Sequence, residues 1–457
     1  MITWILSRLR KKKRRSVSVS RIIALVFLGL ILLGTALLNL PVSSRSGRSA
    51  GLMVSLFTAT SATCVTGLTL ADTWSQWSPF GQCIVLCMIE IGGLGFMSAA
   101  SLVYLLLRKK ISIHQQLLMA EAIGSDSLSD MRMLQKRLLT RSFILEGGGA
   151  VILTLRFLLE YPFPKALWLG VFHSVSAFCN AGFDVLGFRS PGSSLLTLQT
   201  DPVVCLTLSV LIVLGGLGFL VWDEVLRERN PRRWSVYTRL VLITSGSLLL
   251  GGMLVFCVLE WNNPATLGPL GFFQKLLAAF FQSVTLRTAG FAALDQGTLT
   301  QAGKGVSIFL MLIGGSSGST AGGLKTVTFI VLFIFLWTRM RGKYTVSVFH
   351  RTISNDLVLN AIMIFIVMVT LSFSGAVFIC STSPVSFADA LYETVSAIGT
   401  VGLTAGATSA LRFPAQLMII LFMYFGRVGV LTISFGFLKN KPSGQKYKYA
   451  ETELLIG

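Results

Sequence analysis

Charged residues are scarce in this 457-residue chain. Asp, Glu, Lys and Arg together make up 13% of it, whereas soluble domains carry about 25%. Hydrophobic residues reach 53% of the sequence, and the mean hydropathy is +0.74. These values exclude an ordinary soluble domain. The sequence therefore predicts an all-α protein that lies mostly in a lipid bilayer.

Residues that build metal and catalytic sites are also few. The three histidines are isolated, and the seven cysteines are scattered through apolar segments without C-x-x-C spacing. We expect these cysteines to be small buried residues rather than disulfides or a metal cage. The glutamates are dispersed, and no nucleophile accompanies a base. The sequence therefore predicts no enzyme and no cofactor within this chain.

Acidic residues are outnumbered by basic ones. The chain has 39 Lys and Arg against 19 Asp and Glu, a formal charge of +20. The basic residues cluster between apolar segments, at residues 8–15, 108–110, 227–233 and 339–351 and in the tail from residue 439. The positive-inside rule explains this distribution, so no nucleic-acid partner is expected.

Long apolar runs are what the sequence does have. We predict eight membrane spans, at residues 22–40, 81–107, 138–159, 203–225, 239–259, 306–337, 357–379 and 413–438. With eight spans the basic segments all fall on one side of the membrane, which makes both termini cytoplasmic. Residues 1–21 are then a basic cytoplasmic amino terminus and residues 439–457 a cytoplasmic tail.

A shorter segment of similar design lies between each odd-numbered span and the next. The four segments read FTATSATCVTGLT (57–69), FHSVSAFCNAGFD (172–184), FFQSVTLRTAGFA (280–292) and YETVSAIGTVGLT (392–404). Their alignment places Gly67, Gly182, Gly290 and Gly402 in register, at intervals of 115, 108 and 112 residues. The third copy is ambiguous by one residue upstream of its glycine.

The sequence thus predicts four span–pore-loop–span repeats around one pore with pseudo-fourfold symmetry. The repeats cover residues 22–107, 138–226, 239–338 and 357–438. Each second span also carries glycines, at Gly92-Gly93, Gly215-Gly216, Gly314-Gly315, and Gly426 with Gly429. For Gly426 and Gly429, close helix packing is an equally good interpretation.

The short segments cannot cross the bilayer as helices, so they are predicted to be re-entrant. Non-helical backbone that converges on an axis presents carbonyl oxygens, which can replace the hydration shell of a potassium ion. Glycine gives such backbone the freedom it needs. The predicted ion-binding residues are Val65, Thr66, Gly67, Asn180, Ala181, Gly182, Thr288, Ala289, Gly290, Thr400, Val401 and Gly402. Asp72, Asp184 and Asp295 are predicted to form an anionic rim at the pore mouth, although solvated loop acids are an equal alternative.

The sixth span is interrupted by small residues that will not hold a helix in lipid. We interpret this stretch, called here the Gly/Ser loop, as a gate below the pore segments. It consists of Gly314, Gly315, Ser316, Ser317, Gly318, Ser319, Thr320, Ala321, Gly322 and Gly323. Arg427, predicted about halfway along the last span, would repel cations and pair with the loop's carbonyls. The alternative is a structural ion pair with Glu90; a role for Lys325 is not predicted.

Three motifs resemble the Trk/Ktr/HKT superfamily of potassium transporters, and within it the bacterial Ktr-type uptake subunits. They are TVGL (400–403), RTAGF (287–291) and GGSSGSTAGGLKT (314–326). The resemblance covers about residues 22–438. Glycine rather than serine at Gly67 favours potassium over sodium in that superfamily, whereas CVTG (64–67) and CNAG (179–182) depart from threonine-valine-glycine.

The resemblance implies more than the residues themselves do. It implies potassium uptake across a bacterial cell membrane, a homodimer with one pore per monomer, and control by a cytosolic nucleotide-binding regulatory ring (KtrA-type) made of separate chains. It also implies that sodium can act as an activator. A sodium-coupled or sodium-conducting secondary cation transporter is the alternative, because broken helices and repeats also mark that class.

Overall fold

The computed structural model of the chain describes residues 19–95 and 131–429, and these residues are predominantly helical. Parts of several predictions lie outside them: the basic amino terminus, the second half of the span at 81–107, the basic segment at 108–110, and everything from residue 430 to the tail. The domain boundaries therefore stay predictions.

Four helices among the described residues are long and apolar enough to cross a membrane. They are α1 (Val19–Leu38), α5 (Met131–Phe157), α9 (Val236–Glu260) and α13 (Asn355–Thr382). Each contains the greater part of one predicted odd-numbered span. Most of their surface is exposed, with side chains such as Leu33 and Val258 pointing outward, as lipid-facing helices require.

A shorter helix follows each long one, and its carboxyl-terminal half is buried. These helices are α2 (Leu52–Cys64), α6 (Phe163–Phe178), α10 (Phe272–Thr285) and α14 (Phe387–Gly399). In α2 every residue from Phe57 to Cys64 is buried. A helix of 13 residues is about 20 Å long, so it cannot span the roughly 30 Å hydrocarbon core.

The next helix of each group ends near a glycine, and three of the four have a proline at their first or second position. These helices are α4 (Pro79–Gly93), α7 (Pro202–Leu217), α11 (Gln301–Leu312) and α15 (Phe413–Val428). Proline suits a first helical turn because its missing N–H would be unpaired there anyway. The short helix α3 (Thr73–Gln76) precedes α4, capped by the Asp72 carboxylate.

The predicted span at 203–225 is not one straight helix. Its chain bends by 96° between α7 and α8 (Phe219–Arg227). Gly218, at φ 90°, occupies the break, because other residues rarely adopt that conformation. Counting the bent pair as one span gives up to five candidates among the described residues, so the count of eight stays a prediction.

The sixth predicted span is broken, as expected, between α11 and α12 (Thr326–Met340). Past α12, strands β1 (Ser347–Val348) and β2 (Arg351–Thr352) form an antiparallel hairpin with Ser347 opposite Thr352. Short 3-10 turns at Pro41–Ser43, Leu196–Leu198, Pro231–Arg233, Gln296–Thr298 and Thr408–Ala410 complete the described elements.

The core surrounds the short helices. Fully buried aromatic side chains on or beside them include Phe57, Phe172, Phe281 and Tyr392. Each short helix packs against the long helix that precedes it. This burial fixes the short helices inside the protein, where their carboxyl-terminal ends position the segments described next.

Candidate functional site

Each short helix is followed, within three residues of its end, by a left-handed residue that lies two positions before a glycine. The left-handed residues are Val65, Asn180, Thr288 and Thr400, with φ between 51° and 67°. This conformation is uncommon for residues with a Cβ. The shared geometry resolves the ambiguity in the third segment: Thr288 precedes Gly290 by two positions, as Thr400 precedes Gly402.

A hydroxyl group braces each of these turns. Ser61 Oγ accepts from the backbone N–H of Gly67 at 3.0 Å, and Ser396 Oγ accepts from that of Gly402 at 3.1 Å. In the second and third segments the hydroxyl donates instead, from Ser176 to Phe183 O and from Thr285 to Phe291 O, both at 2.7 Å. In each segment a side-chain hydroxyl of the short helix therefore binds the backbone at or just after the glycine and stabilises the turn.

The four aligned glycines lie together, and we call them the glycine ring. A Cβ on Gly67 would lie 2.6 Å from Ala181 O, and one on Gly182 would lie 2.8 Å from Ala289 O. A Cβ on Gly290 would lie 2.6 Å from Val401 O, and one on Gly402 would overlap Thr66 O. Each glycine thus abuts the carbonyl of the residue preceding the next glycine, and the contacts close on themselves.

The glycine ring leaves no room for side chains. All four glycines have positive φ, from 67° to 101°, and a Cβ would collide with backbone, which cannot rotate away. The structure therefore brings together the predicted residues from all four segments, main chain to main chain. Buried hydroxyls of Thr66, Thr288 and Thr400 have no hydrogen-bond partner among the described residues, so oxygen atoms are in surplus beside the ring.

A water-accessible vestibule opens on one side of the ring. Its volume is about 330 Å³, and its lining includes the four ring glycines. The three predicted rim acids, Asp72, Asp184 and Asp295, all line it. Each also accepts a backbone N–H nearby, from Ser75, Leu186 and Gly297 respectively. The acids are thus held in place and share one cavity.

The Gly/Ser loop lies on the other side, against the residues that precede the ring glycines. A Cβ on Gly322 would collide with Thr400 Oγ1. One on Gly314 would lie 3.3 Å from Thr288 Cγ2, and one on Gly323 would lie 3.1 Å from Gly399 O. The predicted gate and the predicted ion-binding segments are therefore in direct contact.

Main-chain bonds close the base of the loop. Gly314 N donates to Leu324 O at 2.9 Å, and Thr326 N donates to Gly315 O at 3.0 Å. Helical structure resumes at Thr326, directly after the backbone that these bridging bonds take up.

The rest of the loop is bound to the bend between α7 and α8. Ser316 N donates to Gly216 O at 3.0 Å, and Thr320 N donates to Gly215 O at 3.2 Å. Phe219 N donates to Gly318 O at 2.9 Å, and Tyr237 Oη donates to Ser317 O at 2.9 Å. Ser319 Oγ bonds within the loop, to Ser316 O. The loop is non-helical but well tethered.

Two half-buried basic residues also hold loop carbonyls. Arg427 donates to Thr320 O and to the carbonyls of Gly92 and Gly93. Lys325 Nζ donates to Ala321 O at 2.8 Å. The suggested ion pair between Arg427 and Glu90 is not formed among the described residues, so its pairing with loop carbonyls is the arrangement present. Arg427 lies in the last turn of α15, which Gly429 at φ 91° ends; the rest of the predicted span lies outside the described residues, so the depth of Arg427 in it stays a prediction.

Sequence reasoning assigned no role to a third cation, Arg287 of the RTAGF motif. Its guanidinium donates to Gly314 O at 3.2 Å and to Thr326 Oγ1 at 3.1 Å. Arg287 thus joins the third pore segment to both ends of the Gly/Ser loop. An arginine inside a largely apolar segment is the signal that could have identified it.

The second-span glycines pack on the ends of the short helices. A Cβ on Gly92, Gly215 or Gly426 would overlap the carbonyl oxygen of Thr63, Phe178 or Ile398. Each of these carbonyls lies two residues before a left-handed residue. Close packing is therefore what Gly426 provides.

Not all cysteines are buried. All seven are free thiols, but Cys83 and Cys87 are exposed and Cys257 and Cys380 are half-buried. Cys179 lies beside Glu90 and Glu146, with the three ligand atoms within 4.8 Å of one another. The sequence did not predict this grouping, because the three residues are distant along the chain.

Comparisons with known proteins identify the family of the chain. The family TrkH, described as cation transport protein, matches residues 6–449. "Potassium/sodium uptake protein NtpJ" of Enterococcus hirae is 39% identical over 98% of this chain and 99% of its own. "Ktr system potassium uptake protein B" of Bacillus subtilis is 37% identical over 94% and 95%, and that of Vibrio alginolyticus 38% over 96% and 94%.

The fold also has a solved counterpart. The crystal structure of the potassium transporter TrkH from Vibrio parahaemolyticus aligns with a TM-score of 0.72 at 17% identity, covering 94% of this chain and 86% of that one. The family match spans nearly the whole sequence. The chain therefore belongs to the TrkH family of cation transport proteins, a family of multi-pass membrane transporters.

Proposed function

We propose that this member of the cation transport family takes up potassium across a bacterial cell membrane, through a pore lined by the four glycine segments. The observation that carries the proposal is the glycine ring, in which each glycine abuts the carbonyl preceding the next. Backbone carbonyls from several segments around one axis can replace the water around a potassium ion.

The selectivity filter in this proposal consists of the residues around the ring. They are Val65, Thr66 and Gly67; Asn180, Ala181 and Gly182; Thr288, Ala289 and Gly290; and Thr400, Val401 and Gly402. Since the coordinating groups are backbone oxygens, the differing side chains of the four segments are compatible with one ion path. The surplus hydroxyls of Thr288 and Thr400 offer further oxygen ligands.

The finer architecture that this function requires is four repeats with pseudo-fourfold symmetry. The recurring order of long helix, short helix, left-handed residue, glycine and second helix supports it. The proposed topology has eight spans and both termini in the cytoplasm, on the basis of the basic loops. The vestibule acids would then face outward and concentrate cations at the pore mouth.

The Gly/Ser loop is the proposed gate. It touches Thr400 and Thr288 on the side of the ring opposite the vestibule, where it stands in the path of an ion leaving the filter. Arg427 and Lys325 hold its carbonyls and add positive charge there. A cation that leaves the filter meets both obstacles until the loop is displaced.

We further propose, from the family resemblance, that the protein works as a homodimer with one pore per monomer. A separate cytosolic nucleotide-binding ring would control the gate. Two relatives named as Ktr system proteins support the existence of a separate partner, since their names describe components of a system.

A sodium-linked function is the second candidate. The relative from Enterococcus hirae is named a potassium/sodium uptake protein, and Asn180-Ala181 replaces threonine-valine in the second segment. Sodium would then be either conducted through the same filter or required as an activator.

Complementation separates these functions. A cell that lacks its own potassium uptake is transformed with this chain, together with its regulatory partner, and grown at low external potassium with and without sodium. We expect growth and ⁸⁶Rb⁺ uptake in the absence of sodium. Uptake that needs sodium favours the second candidate, and a transformed cell with no cation uptake under either condition contradicts both.

A further inference from the structure

An apolar groove runs between α5 and α7 on the outside of the protein. It consists of two adjoining cavities of about 380 Å³ and 370 Å³. Both are bounded by Ile144 and Leu145 of α5 and by Leu214 of α7. Ile144 is 65% exposed, so the groove opens to the lipid side of the protein.

On the α5 side, the groove is bounded in part by glycine, which has no side chain to fill it. Gly148 lines the groove, and a Cβ there would meet nothing within 4 Å. The neighbouring Gly147 is equally free of contacts but does not line either cavity. The groove therefore owes part of its depth to Gly148.

One end of the groove is basic. The aliphatic stem of Arg141 lines the cavity there, whose surface is apolar, and just beyond it the guanidinium groups of Arg141 and Arg137 contact the same carboxylate oxygen of Asp223, at 3.0 Å and 3.7 Å. Two arginines against one aspartate leave a net positive charge. The Nε of Arg137 is buried without a hydrogen-bond partner among the described residues. This end belongs to the side that the positive-inside rule makes cytoplasmic.

The inner wall of the groove is formed by the bend between α7 and α8, the same bend to which the Gly/Ser loop is hydrogen-bonded. Leu217 and Val221, on either side of Gly218, line the groove. On the inner face of the same bend, Ser316 Oγ donates to Leu217 O and Phe219 N donates to Gly318 O. Anything that fills the groove therefore packs against the backbone to which the loop is bound.

We propose that the groove binds an anionic phospholipid, with an acyl chain along α5 and α7 and its phosphate at Arg137 and Arg141. Basic pockets at the cytoplasmic ends of membrane helices suit anionic headgroups, and the apolar walls suit an acyl chain. An occupied groove supports the bend and so stabilises the Gly/Ser loop in the bound arrangement seen here. This regulatory role rests on the proposed function; the binding site itself does not.

Native mass spectrometry of the full-length protein measures lipid binding directly. The probes are phosphatidylglycerol and phosphatidylcholine with identical acyl chains. Gly148→Leu fills the groove from its open side, and Gly147→Leu is the matched control on the same helix. We expect Gly148→Leu to weaken phosphatidylglycerol retention about tenfold, the effect of losing roughly two methylene contacts, and Gly147→Leu to retain it as the wild type does.

The headgroup has its own variant. Arg137→Gln lowers the charge at the basic end while it leaves the ion pair between Arg141 and Asp223 intact. We expect it to remove the preference for phosphatidylglycerol over phosphatidylcholine, with little effect on phosphatidylcholine itself. Equal retention of both lipids by the wild type contradicts the anionic assignment.

Other results overturn the proposal. If Gly148→Leu and the wild type retain the same lipids, the groove is not the site. If Gly148→Leu instead converts dimers to monomers in the same spectra, the groove is an interface between copies of the chain. Flux is measured separately in vesicles with and without phosphatidylglycerol. A wild type that binds the lipid but transports no potassium refutes the proposed function and leaves the lipid site standing.

Discussion

The two sides of the glycine ring carry opposite charges. On the vestibule side, Asp72, Asp184 and Asp295 line one cavity of about 330 Å³. On the loop side three basic residues, Arg287, Lys325 and Arg427, each donate to a carbonyl of the Gly/Ser loop, and the carboxyl groups of Glu90 and Glu146 lie nearby, beside Cys179. The acids line this cavity, whereas Arg287 is buried and Lys325 and Arg427 are half-buried against the loop.

This difference indicates how the path for a cation is organised. Carboxylates that line a water-filled cavity attract cations. Water and salt screen part of this attraction. Arg287 and Arg427 bond to neutral carbonyls, which satisfy the hydrogen bonds of each guanidinium without cancelling the field of its charge. The account therefore predicts attraction on one side of the ring and a barrier on the other, and variants on the two sides should act in opposite directions.

Replacement of a ring glycine should have the largest effect, because it removes the element that divides the two sides. Gly402→Ser places a Cβ against Thr66 O at φ 91°. We expect discrimination between potassium and sodium to fall at least about tenfold, a change of about 1.4 kcal/mol in relative ion free energy. Competitive ⁸⁶Rb⁺ and ²²Na⁺ uptake measures it. Gly305→Ser, at an open helix position, is the control; an unchanged ion ratio in Gly402→Ser counts against the filter. Gly290→Ser should behave in the same way.

Shortening the Gly/Ser loop should have the next largest effect, and the quantity that changes is flux, which should rise. Deletion of residues 317–319 removes the bonds from Tyr237 and Phe219 to the loop. We expect flux without the regulatory partner to rise severalfold. Ser319→Ala keeps the length of the loop and should change flux little. A deletion variant with normal, regulated flux dismisses the gate.

Arg427→Ala should raise leak by less than the deletion does. The variant loses the positive charge and the bonds to Thr320, Gly92 and Gly93, but the loop keeps its other contacts. Arg427→Lys retains the charge and should lie between alanine and wild type. Vesicle flux at equal protein content measures the difference. If transport falls in Arg427→Ala, Arg427 is a structural residue only.

The smallest expected effect is at the vestibule. Burial raises the pKa of Asp184 to about 6; the N–H of Leu186 opposes this shift and the charge of Asp72 adds to it. The carboxyl group is therefore charged at pH 7 and becomes neutral as the pH falls through about 6. We expect Asp184→Asn to raise the half-saturating potassium concentration about two- to fivefold at pH 7, the effect of losing about 0.5–1 kcal/mol of attraction.

The pH dependence provides the control for that variant. In the wild type, half-saturation should rise as the pH drops from 7 to 5, and in Asp184→Asn this rise should be smaller. Identical pH profiles would mean that Asp184 does not act on the permeating ion.

The sequence predicts the ring better than the gate's surroundings, for a physical reason. A position that requires positive φ and close approach of a neighbouring backbone accepts only glycine. The same residue type therefore recurs in all four segments, and their alignment identifies Gly67 and its counterparts. The predicted break at the Gly/Ser loop follows from composition in the same way.

Contacts between distant segments leave no such pattern. The bend at Gly218 lies in a uniformly apolar run, and it is fixed by bonds to the Gly/Ser loop about 100 residues away. The partners of Arg427 are carbonyls, which every residue possesses, so the sequence could also offer Glu90 as an alternative partner. The sequence shows that Arg287 belongs to the RTAGF motif, but its contacts with Gly314 and Thr326 arise only in the tertiary fold.

The central claim is that the four glycine segments bind a bare cation between them. Anomalous diffraction from crystals of the full-length protein grown with Tl⁺ in place of K⁺ tests it most directly. The account predicts a Tl⁺ peak enclosed by the backbone oxygens of Thr66, Ala181, Ala289 and Val401. Tl⁺ peaks elsewhere in the protein, with none among these four oxygens, would contradict it.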